Sequence, residues 1–108
     1  NLSMIYESRL ISFLSEHLPG ITIILFGSYS RGDDNYNSDI DLAIIESTKI
    51  FFLKEGDKVD PKKIDLLKFE KILKKKIVLN FYTNLQFIDK NLRNNLLNGI
   101  VLSGVLEL

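Results

Sequence analysis

An α/β (α+β) domain, a small mixed sheet with flanking helices, is the fold class this sequence predicts. Three observations carry that expectation. Apolar residues recur at helical spacing in three separate stretches, short β-branched runs stand between them, and Pro-Gly and Asp-rich breaks separate the two kinds. The resulting order is helix, strand, strand, helix, strand, helix and a short final strand, which buries a sheet under helices.

Each element follows from local pattern. Ile5, Leu10, Phe13, Leu14 and Leu18 predict a helix over 4–18, closed by Pro19-Gly20. Residues 21–26 (ITIILF) read as a buried strand, and 39–45 as a second strand after a turn-rich loop over 27–37. Residues 46–63 give no clear pattern, although Ile50 to Leu53 suit a short strand or a loop packed on the core. Asp65 suits a helix N-cap, with Leu66, Phe69, Ile72 and Leu73 as the apolar stripe of a helix over 65–75. Residues 77–82 predict a third strand and 86–98 a last helix with Phe87, Ile88, Leu92, Leu96 and Leu97 inward. Gly99 suits a C-cap, and 100–102 an edge strand.

Composition narrows the function. The 108 residues suit one domain over 1–108, with 45% hydrophobic and 26% charged residues, so the chain should fold. Net charge is +0, so no global field draws it to nucleic acid or membrane, and direct nucleic-acid binding is not expected. There are no cysteines, which excludes disulfides and thiolate metal sites. No apolar run approaches the ~20 residues of a membrane span. The amino-terminal residues lack the basic and apolar regions of a secretory leader, and the expected location is cytoplasmic.

The chemistry concentrates in FGSYSRGDDNYNSDIDL, residues 26–42, which places Asp33, Asp34, Asp39 and Asp41 within nine residues. A phosphate-binding P-loop fails because Asp33 and Asp34 stand where its Lys and Ser/Thr belong. A calcium loop fails because Ser38 stands at its glycine position and Ile44 at its bidentate glutamate position. A third reading takes Asp39-Ile40-Asp41 as the start of a strand. Side chains at i and i+2 share a face, so the two carboxylates, roughly 6–7 Å apart at the backbone, can converge on hard cations. Magnesium suits that arrangement, with phosphates and water completing its shell. Gly27 then lets backbone N–H groups approach an anion, Ser28 offers a hydroxyl and Arg31 a guanidinium. Phosphate recognition beside a metal site is an apparatus for phosphoryl or nucleotidyl transfer.

Gly27-Ser28, ten residues, then Asp39-Ile40-Asp41 resembles the signature of the polymerase-beta-type nucleotidyltransferases. GSYSRGDDNYNSDIDL resembles their minimal, single-domain branch, the MNT family. The resemblance implies a nucleotidyltransferase (polymerase-beta-like) fold. It implies that Gly27, Ser28 and Arg31 hold ATP or another nucleoside triphosphate, and that Asp39 and Asp41 bind two Mg²⁺ ions, or Mn²⁺. It also implies a HEPN-domain partner, because some members act as antitoxins that transfer AMP to a tyrosine of such a protein. The family expects a third carboxylate on the third strand. Here that strand holds neither Asp nor Glu, and Val78 and Asn80 are the two residues for the position. Asn80 binds Mg²⁺ weakly and accepts no proton at neutral pH.

The remaining candidates carry plainer expectations. His17 sits at a helix end, where the dipole favours a cation. Lys74-Lys75-Lys76 reads as a solvated helix end, Tyr29 and Tyr36 as loop packing, and Asp33, Asp34, Asp57 and Asp60 as solvated loop residues. The expected function is therefore Mg²⁺-dependent transfer of a nucleoside monophosphate to a hydroxyl of a macromolecular partner. The alternative is a catalytically impaired nucleotide-binding module that acts by contact.

Overall fold

The computed structural model describes residues 2–18, 20–27, 39–46, 64–82 and 89–104. The expectations for Ile50–Leu53, Tyr29, Tyr36, Asp33, Asp34, Asp57, Asp60, Phe87 and Ile88 lie outside the described residues. The elements run α1 (Leu2–Glu7), α2 (Leu10–His17), β1 (Ile21–Phe26), β2 (Ile40–Glu46), α3 (Leu67–Leu73), β3 (Ile77–Tyr82), α4 (Lys90–Leu97) and β4 (Ile100–Ser103). The four strands form one mixed sheet in the order β3-β2-β1-β4. β1 is antiparallel to β2 and β4, and β2 is parallel to β3. None of the described helices is long and apolar enough to cross a membrane.

Both faces of the sheet are covered, which is why β1 reads as an unbroken apolar run. On one face Ile23, Leu25, Ile40, Leu42 and Ile44 pack with Ile5, Leu10 and Leu14 of α1 and α2 and with Phe69 and Leu73 of α3. On the other, Ile24 and Ala43 pack with Leu96, flanked by Phe26, Ile45, Tyr82 and Leu92. Side chains cover polar groups on both edge strands. Glu70 Oε2 accepts from Ile77 N (2.9 Å) on β3, and the Tyr6 hydroxyl donates to Leu102 O (3.0 Å) on β4. Blocked edge groups discourage pairing with a further strand.

Several helix expectations need correction. The single helix expected over 4–18 is broken at Ser8-Arg9, where Arg9 adopts a left-handed φ of 67°. Buried Ser8 satisfies the break: its hydroxyl donates to Ile5 O (2.6 Å) and accepts from Leu10 N (3.3 Å). A serine hydroxyl competes with the helical ladder in this way. Asp65 does cap, accepting from Leu67 N (3.0 Å), but α3 starts only at Leu67. It ends at Leu73 because Lys74 turns left-handed at φ 56°. Ile72 is exposed instead of inward, as is Leu97. The last helix starts at Lys90, since Asp89 is non-helical and its Oδ2 accepts from Asn91 N (3.1 Å) and Leu92 N (3.4 Å). The second strand is displaced by one residue, running Ile40–Glu46.

Gly99 is also not a left-handed cap. Its role is space: a Cβ there would lie 2.7 Å from Ile24 Cγ2 and 2.7 Å from Leu25 O, so the turn from α4 into β4 closes directly on β1. Gly99→Ala should therefore lower stability by about 1–3 kcal/mol, the usual range for overpacking. Urea denaturation checks this, and an unchanged midpoint would contradict the close approach.

Candidate nucleotide and metal site

The site forms where the C-terminal end of β1 meets the start of β2. Ile40 is completely buried in the core beneath the sheet. Its backbone N–H donates to Lys76 O (2.9 Å), which ties the start of β2 to the approach to β3. With Ile40 pointing into that core, alternation sends Asp39 and Asp41 to the opposite face. Asp41 pairs in register with Phe26 on one side and with Val78 on the other. It therefore sits across from the last residue of β1, one step from Gly27.

Gly27 makes room for the carboxylate. A Cβ at this position would lie 2.8 Å from Asp41 Oδ2, and φ is +78°, a conformation suited to glycine. Asp39 is exposed and Asp41 half-buried. Burial pushes the Asp41 carboxyl above the ordinary aspartate range, and the Asp39 charge pushes it further in the same direction. The fold thus holds two like charges together while removing water from one. Among the described residues no cluster of three or more His, Cys, Asp or Glu completes a protein-only metal cage. Two carboxylates with open flanks fit a hard divalent cation whose other ligands are phosphate oxygens and water.

Register decides between the two candidates on β3. Val78 stands beside Asp41, whereas Asn80 stands beside Ala43, a full pleat deeper in the sheet. Asn80 Nδ2 donates to Leu42 O (3.4 Å), so its amide serves the sheet. Of the two residues named for the third position, Val78 is thus the one that stands beside Asp41, and Asn80 lies one pleat further along β3. Ser28 and Arg31 lie outside the described residues. His17 has the structural role expected of it: Nδ1 donates to Phe13 O (2.9 Å), and its ring lies 4.1 Å from the Phe13 ring. Lys76 was not distinguished from its neighbours by sequence, yet it belongs to the approach to β3 and not to a helix end. The available signal was its position two residues before Val78, on the same strand face.

The nucleotidyltransferase domain profile matches residues 7–102. The chain belongs to this family. Forty-five residues of this nucleotidyltransferase domain are 40% identical to the protein adenylyltransferase MntA of Shewanella oneidensis, spanning 41% of this chain and 32% of that protein. The match thus spans about a third of the length of that relative. A crystal structure of a toxin–antitoxin with AMP-PNP is similar at a TM-score of 0.61 and 28% identity, covering 92% of this chain and 73% of the other. A mutant toxin–antitoxin MntA-HpeT structure shares the fold at a TM-score of 0.59 and 24% identity over the same shares. The mixed four-stranded sheet is thus that of a minimal nucleotidyltransferase.

The carboxylate pair makes a prediction about stability. A folded-state carboxyl raised above its unfolded value weakens the fold once pH exceeds both values, and the penalty vanishes below the unfolded one. Without metal or nucleotide, Asp41→Asn should melt higher than wild type at pH 7. The gap should close as pH falls below the ordinary aspartate value of 3.8. Thermal melts across pH test this, and a lower melting point for the variant at pH 7 contradicts it.

Proposed function

We propose that this domain transfers a nucleoside monophosphate, AMP from ATP, to a hydroxyl of a partner protein. The observation that carries the reading is the Asp41 carboxylate lodged against Gly27 at the end of β1, with Asp39 on the same face. Asp39 and Asp41 hold Mg²⁺, two ions in the full complex, or Mn²⁺. A metal held there would supply the positive charge that lets phosphate oxygens lie beside the two carboxylates. Gly27, Ser28 and Arg31 hold the triphosphate, a guanidinium being suited to bidentate phosphate contact. The acceptor oxygen forms a bond to the α-phosphorus, the α–β anhydride bond breaks, and pyrophosphate leaves. The acceptor's proton is released to solvent, and Val78 supplies no carboxylate beside Asp41 to take it.

The relatives support this reading. The MntA protein of Shewanella oneidensis is a protein adenylyltransferase, and a similar structure is a toxin–antitoxin with AMP-PNP. The motif resemblance of residues 26–42 adds a HEPN-domain toxin as the partner, with this chain as its antitoxin. Val78 favours a second reading, a domain that binds nucleotide and neutralises its partner by contact with little or no transfer.

One substitution separates the two readings. Val78→Asp supplies the missing carboxylate, and a positioned base typically contributes 10²–10⁴-fold. Incubation with labelled ATP, Mg²⁺ and a HEPN-domain partner protein should show label transfer rising in Val78→Asp but not in Asn80→Asp. Without transfer in wild type or in Val78→Asp, the contact reading stands and the enzymatic one fails. Ser28→Ala and Arg31→Ala test the phosphate side. A charge-assisted contact is worth roughly 1.5–3 kcal/mol, so at least one variant should bind ATP more than about tenfold weaker by calorimetry. Unchanged affinity in both removes the role.

A further inference from the structure

We infer that Lys76 is a further nucleotide-binding residue, which meets the triphosphate on the β3 side of the carboxylate pair. This rests on the reading that Asp39 and Asp41 hold a metal–nucleoside triphosphate. The register places the lysine. The ladder opens with Ile40 paired to Ile77 and Asp41 to Val78, and carrying that register one residue back sets Asp39 across from Lys76. The hydrogen bond from Ile40 N to Lys76 O (2.9 Å) fixes that step. Ile77 is buried in the core with Ile40, so alternation sends Lys76 to the face of Val78 and Asp41.

Lys76 is exposed, as is Asp39, while Asp41 is half-buried. The lysine therefore stands at the outer, solvent-facing level of the site, from which the β- and γ-phosphates depart as pyrophosphate. Neighbouring strands lie about 4.8 Å apart, and the flexible four-carbon stem of lysine covers that distance. Asp41 has Gly27 on its β1 side and Val78 on its β3 side, and Val78 contributes neither charge nor a hydrogen bond. Lys76 is then a cation, among the described residues, that the β3 side contributes to a ligand carrying several negative charges. Its neighbours are placed differently: Lys74 occupies the left-handed residue that ends α3, and Lys71 lies within α3.

Calorimetry with Mg²⁺ and ATP or AMP tests the assignment. Lys76→Ala and Lys76→Gln should bind Mg–ATP about tenfold weaker. AMP affinity and thermal midpoint should stay at wild-type values. Lys71→Ala, which removes an equal charge from α3, should bind both nucleotides normally. Wild-type affinity for ATP in both Lys76 variants, or equal losses for ATP and AMP, overturns the inference and leaves the proposed function intact. A wild-type protein that binds no Mg–ATP overturns both.

Discussion

The burial of Ile40 is the constraint on which the site depends. Its side chain is held in the core beneath the sheet, and its N–H is held by the carbonyl of Lys76. A strand residue fixed on both counts cannot rotate, and a one-residue slip would turn Asp39 and Asp41 into the apolar layer. The hydrophobic effect, acting on one isoleucine, thus directs two carboxylates to a common face. No attractive interaction between the acids is needed, and burial first, then the Asp39 charge, holds the Asp41 carboxyl above its ordinary range.

This division of labour runs through the molecule. The cores above and below the sheet supply the stability, and the end of β1 carries the electrostatic strain. Gly27 permits the strain by giving Asp41 Oδ2 the volume that a Cβ would fill. Two carboxylates satisfy only part of an octahedral shell, and in the proposed function phosphate oxygens and water take the remaining positions.

The edges of the sheet show a second use of side chains for control. Glu70 and Tyr6 bond backbone groups of β3 and β4 respectively. On β3 this keeps the strand that carries Val78, with Lys76 just before it, in its place beside β2, and the outer N–H at Ile77 is already satisfied. The same strand therefore serves the ladder through Asn80 and presents Val78 and Lys76 at its mouth.

The sequence by itself determined the strands and the two carboxylates, because alternation along a strand is local: Asp39 and Asp41 share a face wherever β2 packs. It also located Gly27 beside them, since a chain must turn after a buried strand. Tertiary structure decided the rest, and for physical reasons a pattern cannot carry. The helix break at Ser8-Arg9 depends on a buried hydroxyl and a left-handed residue, while the apolar spacing of 4–18 reads as continuous. Gly99 is glycine because Ile24 and Leu25, far away in sequence, lie against it. The choice between Val78 and Asn80, and the place of Lys76 beside Asp39, are matters of register between two strands. Register is set by how the cores fill on both faces, and the residues that fill them lie throughout the chain.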